Sequence, residues 1–235
     1  MNLLLLDETD LVSPLQAVIR GRRHVHLKQV NQIQVGQPLR VGMVNGLMGQ
    51  ARVEAHDEES TCLALSLTEA PPPPLPIQLL LALPRPRMLA RSLEHMSTLG
   101  VKEIFLLHTA RVEKSFWQSP ELRPEKIDQH LRLGLEQARD TLLPKVHLVK
   151  RFKPFVEDEL AALSAGRLKL VAHPGDYPPC PVQVNRPVTL VIGPEGGLVD
   201  YEVDLLQQQG FEAVQLGQRI LRVETAVTAL LSRLF

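Results

Sequence analysis

Aromatic side chains make up only 4% of the 235 residues, with a single tryptophan, Trp117. That scarcity argues against a protein that reads RNA mainly by stacking bases on aromatic platforms. Cys62 and Cys180 are the only cysteines, too few for a disulfide framework or a four-thiolate zinc site, and no metal is expected. An excess of either charge is missing too. Lys and Arg number 26 and so do Asp and Glu, so contact with nucleic acid has to come from a local patch, not a polybasic coat. No apolar run approaches the ~20 residues needed to cross a bilayer, and the leucines of residues 1–10 have no basic n-region before them and acids directly after. The expectation is a cytoplasmic globular protein without a membrane anchor, built on an apolar share of 44%.

Proline, by contrast, is concentrated. Pro71, Pro72, Pro73 and Pro74 run consecutively and Pro76 follows, a stretch that enters neither helix nor central strand and reads as a semi-rigid linker over 71–76. Ahead of it, residues 1–70 read as β-rich. Short apolar segments at 3–6, 25–27, 39–44, 51–55 and 61–67 are separated by turn signals such as Val35-Gly36-Gln37-Pro38 and Asn45-Gly46. Leu63, Leu65 and Leu67 alternate with period two. A small barrel of five or six strands suits this spacing. Its basic residues crowd into Arg20, Arg22, Arg23 and Lys28, interleaved with His24 and His26. The cluster is either a solvated strand-and-turn edge or a patch facing RNA.

Beyond the linker, over 77–235, apolar strands alternate with helices. Strands are expected at 77–83, 101–107, 146–149, 168–172, 188–192 and 213–216, and helices at 86–99, 125–143, 155–165, 199–209 and 222–234. Such alternation predicts an α/β fold with a parallel sheet covered on both faces, where ligands settle beyond the carboxyl ends of the strands. Two loops stand at such ends. Ile192-Gly193-Pro194-Glu195-Gly196-Gly197 bares its backbone through glycine, fixes one φ through proline and carries a carboxylate. It has neither the lysine of a phosphate loop nor the spaced glycines of a dinucleotide fold. Leu216-Gly217-Gln218-Arg219-Ile220-Leu221-Arg222-Val223-Glu224-Thr225-Ala226 sets apolar side chains at a strand end beside charged ones, an arrangement that suits an adenine ring held by backbone hydrogen bonds. Each loop also has a plainer reading, a tight strand-to-helix turn for the first and an ordinary helix start with an Arg–Glu pair for the second. His173, before Pro174, reads more readily as a turn residue than as a catalytic one.

IGPEGG followed by LGQRILRVETA resembles the SPOUT class of RNA methyltransferases, and more closely the family that methylates N3 of a uridine in 16S ribosomal RNA. The resemblance extends over essentially the whole chain. It is strongest over 188–235, fair around Arg87-Met88, Leu99-Gly100-Val101 and Glu136-Gln137-Ala138-Arg139, and weak in the first 70 residues. Asn2-Leu3-Leu4 stands where the family usually has an Arg-Phe-Phe-like strand, and Thr98 where it usually has Glu.

What this resemblance implies is specific. The C-terminal domain would be an α/β trefoil knot, preceded by a PUA-like β-barrel, and the protein would be a homodimer acting on 16S rRNA within the small ribosomal subunit. S-adenosylmethionine would lie bent in the knot loops, against Ala172, Ile192, Gly193, Gly197, Leu216, Gly217, Ile220 and Leu221. Arg222, with Arg139 as a second group, would stabilise charge on the uracil oxygens, and Glu195 or Glu224 would accept the N3 proton or orient an arginine. The charge pattern, not the resemblance, makes Arg20, Arg22, Arg23, Lys28 and Arg87 the expected RNA contacts, with residues 145–153 as the alternative face. Other readings of the sequence are a SPOUT enzyme for another RNA position, including a ribose 2′-hydroxyl, and a ribosome-binding module without catalysis.

Overall fold

A computed structural model describes residues 2–29 and 32–235. It is a mixed α/β structure whose chain divides into two compact units, Met1–Pro73 with Leu135–Leu143, and Pro74–Gly134 with Pro144–Phe235.

The first unit is built on β1 (Leu4–Leu6), β2 (Leu11–Ser13), β3 (Gln16–Arg20), β4 (Pro38–Met43), β5 (Met48–His56) and β6 (Ser60–Glu69). They form a six-stranded sheet in the order β1-β4-β5-β6-β3-β2, antiparallel except for the β1–β4 pair. Leu4, Leu6, Ile19, Val41, Val53 and Leu63 make its core, and β6 alternates inward and outward as its leucines predict. Gly49 lets β5 and β6 approach closely, since a Cβ there would sit 1.9 Å from the Ser66 carbonyl oxygen.

One expectation fails in this unit. The segment around 25–27 is not a strand edge but lies in helix α1 (Gly21–Gln29). Gly21, at φ +61°, ends β3 and turns the chain, and burial at helical spacing of His24 and Leu27 does the rest. His24 is pinned between Thr61 Oγ1 at 2.8 Å and the Glu58 carbonyl at 3.1 Å, contacts no local pattern announces.

The second unit carries β7 (Ile77–Ala82), β8 (Glu103–Leu107), β9 (Lys145–Val149), β10 (Leu168–Ala172), β11 (Val188–Ile192) and β12 (Glu212–Val214). All neighbours are parallel, in the order β12-β10-β11-β7-β8-β9. Every residue of β7 and β11 is buried, which is why both read as unbroken apolar runs. The helices are α2 (Pro86–Thr98), α3 (Pro124–Ala138), α4 (Phe152–Pro154), α5 (Leu160–Leu163), α6 (Asp200–Gln208) and α7 (Val223–Leu234). A π-helical turn, Phe155–Glu159, links α4 to α5. On one face Leu80, Phe105, Val171 and Val191 pack with Phe152, Phe155, Val203 and Leu206, and α2 packs against α7. Helix α3 ends earlier than its sequence suggests, because Arg139 takes φ +57° and breaks the helical path. No helix among the described residues is long and apolar enough to cross a membrane.

Candidate cofactor pocket at the carboxyl ends of the parallel sheet

The strand order reverses between β7 and β11, with β8 following on one side and β10 and β12 lying on the other. Sheets of this kind open a crevice at that point. Here the loops after β10, β11 and β12 enclose a cavity of about 520 Å³. Register aligns their starts, Ala172 opposite Ile192 and Val214.

The first wall is the loop after β11. Gly197 donates its N–H to the Pro194 carbonyl at 2.8 Å and sits at φ +75°, a region that favours glycine. Gly193 serves differently, because a Cβ there would lie 3.0 Å from the Leu198 nitrogen. Gly196 leaves room for Arg111, whose guanidinium donates to the Gly196 carbonyl. The Glu195 carboxylate accepts from the Arg85 N–H at 3.2 Å and borders the cavity. Behind the loop, Glu202 is 3% exposed and accepts backbone N–H groups from Ala110 at 2.7 Å and Val199 at 3.0 Å. One buried carboxylate thus ties the chain after β8 to the start of α6.

The second wall, His173 to Asp176, follows β10. The His173 N–H donates to the Val214 carbonyl at 2.9 Å, and its ring meets Tyr177 edge-on at 6.0 Å. Burial holds the imidazole below its ordinary pKa, with Asp200 pulling it up and Arg111 adding to the depression. The ring is therefore neutral near pH 7. Burial also pushes the Cys180 thiol up, with Arg233 pulling it back.

The third wall runs from Val214 to Val223 and closes on Ala226 and Leu230 of α7. Gly217 takes φ +113°, which a side chain would resist. Ile220 is 82% exposed and Leu221 36%, unusual for apolar residues unless something flat or apolar covers them.

All eight positions expected to face a cofactor line this cavity: Ala172, Ile192, Gly193, Gly197, Leu216, Gly217, Ile220 and Leu221. Of the four expected catalytic groups, Glu195 lines it. Arg222 stands next to the lining residues Leu221 and Val223, exposed at the N-cap of α7, and Glu224 is in the first turn of that helix. Arg139 is exposed at the end of α3, in the segment grouped with the N-terminal sheet, and does not border the cavity. Among the basic residues, Arg20, Arg22, Lys28 and Arg87 are exposed. Arg23 is committed elsewhere. Its guanidinium grips both Asp10 oxygens at 2.8 and 2.7 Å and the Leu5 carbonyl at 2.8 Å, which conflicts with an expected phosphate contact.

Sequence reasoning passed over His173 as a wall, and Arg111 and Glu202 as props. Position after a strand could have promoted His173; nothing local marks Arg111. Among the described residues, no group of three or more His, Cys, Asp or Glu side chains is placed to hold a metal.

A parallel sheet with a backbone-lined pocket at its carboxyl ends is shared by many nucleotide-handling enzymes, and comparison narrows the class to RNA methyltransferases: the RNA methyltransferase domain matches residues 71–235. The chain is 30% identical to Ribosomal RNA small subunit methyltransferase E of Treponema pallidum over 236 residues, covering 97% of this chain and 88% of that protein. The protein of the same name from Mesomycoplasma hyopneumoniae is 29% identical over 139 residues, 57% of this chain and 58% of that one. In structure, the chain is similar to Ribosomal RNA small subunit methyltransferase E from Neisseria gonorrhoeae, solved bound to S-adenosyl methionine. The TM-score is 0.77 at 20% identity, over 99% of this chain and 95% of that one. The chain belongs to the RNA methyltransferase family and, within it, to the ribosomal RNA small subunit methyltransferase E group.

Proposed function

We propose that this protein transfers a methyl group from S-adenosylmethionine to N3 of a uridine in 16S rRNA, on the small ribosomal subunit in the cytoplasm, as a homodimer. The observation that carries the reading is the 520 Å³ cavity, in which the two motif loops converge on one wall each. Its size is within the range of small-molecule sites, and its lining joins bare backbone to a few apolar side chains. That donor set fits the cofactor: backbone of Leu216, Ile220 and Leu221 for adenine, Gly193 and Gly197 where ribose and methionine pass, and Ala172 at the closed end. When bound, the cofactor supplies an electrophilic methyl on a positive sulfur.

The chain's own groups do the rest. The N3 proton has to leave and the uracil oxygens take up charge. Arg222, beside the pocket wall, offers its guanidinium to those oxygens. Glu195, already oriented by the Arg85 N–H, or Glu224 takes the proton or positions the arginine. A target base inside folded RNA has to be turned outward, at a cost of about a few kcal/mol. Exposed Ile220 and Leu221 favour a subunit contact near the pocket. The segment between β10 and β11 supports a knotted threading: Gln183 and Val184 donate N–H groups to the Arg233 and Leu234 carbonyls at the end of α7, at 2.9 and 2.7 Å. The N-terminal sheet is read as PUA-like, with Arg20, Arg22 and Lys28 toward RNA; in the other unit, Arg87 at the start of α2 is read as an RNA contact.

Small subunits from a strain lacking this gene should gain one N3-methyluridine when purified protein and S-adenosylmethionine are added back, detected by nucleoside mass spectrometry. A methyl group on a ribose oxygen or on another base would overturn the assigned position. Sedimentation at micromolar protein should give about twice 26.2 kDa.

A further inference from the structure

The pocket does not account for the opposite edge of the same sheet. Parallel strands put the ends of β8 and β9 on the side where the pocket loops lie. Beyond β9 stand Lys150 and Arg151, both exposed. Neither these two nor Lys145 has an ion-pair partner among the described residues. The other basic groups nearby are engaged, Lys153 with Glu157 at 3.7 Å and His147 with Glu103 at 3.1 Å.

Beside those free cations lies a second, open cavity of about 580 Å³ that shares no lining residue with the first. Its wall includes Phe105 and His147, whose rings stack at 4.4 Å and 15°. Lys150 and Arg151 border it, with Glu159 as its one carboxylate. The single tryptophan does not line this cavity but stands by one of its lining residues, Lys150. Trp117 donates from Nε1 to His108 Nδ1 at 2.6 Å, and the Lys150 ammonium lies 5.9 Å from its ring centroid. The ring open to a ligand is that of His147, exposed and backed by buried Phe105, and it stands beside Lys150 and Arg151, which have no carboxylate partner among the described residues. Flat rings next to free positive charge suit an unpaired nucleotide, with base on ring and phosphate on cation.

We infer that the cavity at the β9 edge binds an unpaired nucleotide of the RNA strand that carries the target uridine. The inference rests on the proposed RNA substrate. Three strand spacings, about 14 Å, separate β9 from β11, so a strand contacting both sites would cross the carboxyl-end rim. Arg85 and Arg111, both exposed, stand on that rim at the ends of β7 and β8.

Two variants of the full chain separate charge from stacking. Lys150→Ala with Arg151→Ala should weaken binding to small subunits and to protein-free 16S rRNA about tenfold or more, and flatten the salt dependence by about one to two units of log–log slope. His147→Leu should weaken binding about fivefold to tenfold with the slope unchanged. Both should bind S-adenosylmethionine as the wild type does, a readout that a merely misfolded variant fails. Wild-type affinities and slopes in both variants would overturn the inference. A loss on subunits but not on protein-free rRNA would also overturn it, and would assign the edge to a ribosomal protein. Failure of the wild type itself to bind or methylate either RNA would strike the proposed function, and the inference with it.

Discussion

The two sheets have six strands each and handle burial in opposite ways. At the centre of the C-terminal sheet, β7 and β11 bury every side chain, so neither face is available to a ligand there and recognition is left to the strand ends and to the exposed β9 edge. In the N-terminal sheet, β5 and β6 alternate, and polar groups come out along the strands themselves. The difference separates a pocket, which needs backbone exposed at fixed positions, from a contact surface, which needs only charge and area. The two designs also fail differently, and that is where they can be tested.

The largest effect is expected at Gly197. Valine there must hold a φ of +75°, at a cost of about 1–3 kcal/mol, and it brings a side chain toward the cavity. Gly197→Val should reduce S-adenosylmethionine affinity at least a hundredfold by calorimetry while the chain remains folded. Unchanged affinity in a folded variant sinks the site assignment. Its counterpart in the other sheet is Gly49→Ala, where the added methyl collides with the Ser66 carbonyl. Stability should fall by about 2–3 kcal/mol in denaturant titration, with cofactor affinity retained; a matching loss of cofactor binding would erase the distinction between the sheets.

Glu202→Gln tests whether the pocket wall depends on its buried prop. The amide can still accept one of the two N–H groups, so a loss of about 1–3 kcal/mol is expected, with weaker cofactor binding. Stability and affinity both unaltered would remove Glu202 from the account. Arg23→Ala leaves Asp10, which is 8% exposed, without its main partner, and should cost about 1–2 kcal/mol. It should leave the salt dependence of RNA binding untouched, whereas Arg20→Ala with Arg22→Ala should flatten that slope by about one to two units. If Arg23→Ala flattens it equally, its guanidinium reaches RNA after all.

The smallest effect belongs to His173. An unfolded histidine takes up its proton near 6.5, and burial holds the folded value lower. As pH falls through 6.5, the unfolded chain binds a proton that the folded one refuses, so stability drops until the folded value is reached and is constant below it. Above 6.5 the group contributes nothing. Melting curves from pH 7.5 to 5 should be steeper against pH for the wild type than for His173→Gln, and parallel curves would reject the assignment.

Legibility in the sequence tracks the same contrast. Fully buried parallel strands announce themselves as apolar runs, and β7, β8, β10 and β11 lie where those runs are. Loops at their ends carry glycine and proline signals, so the eight cavity-lining positions could be named in advance. Helix α1 could not, because its nine residues show only His24 and Leu27 to the interior and its anchors, Thr61 and Glu58, are far along the chain. Arg23 looked like a free cation for the same reason, and nothing local announced the tie of Arg111 to the loop after β11. Composition reveals a charge; only the fold reveals that Gly196 or Asp10 has already claimed it.

The order in which the strands are made bears on synthesis. β7 hydrogen-bonds β11, more than a hundred positions later in the chain, and β12 is later still. A nascent chain therefore carries β7 with one edge unmatched while most of the domain is being translated, and pairing at such distance is slow. The Asn45-Gly46 turn waits as well. It is clasped by Thr141, whose hydroxyl donates to the Gly46 carbonyl at 2.6 Å and whose carbonyl accepts from Asn45 N–H at 2.8 Å. Until residue 141 has left the ribosome, that turn lacks its clasp, and until residue 230 has, the pocket lacks the end of its last wall. The cofactor can thus serve as a ligand only once α7 has emerged and folded back, which makes its binding a natural mark of a closed pocket.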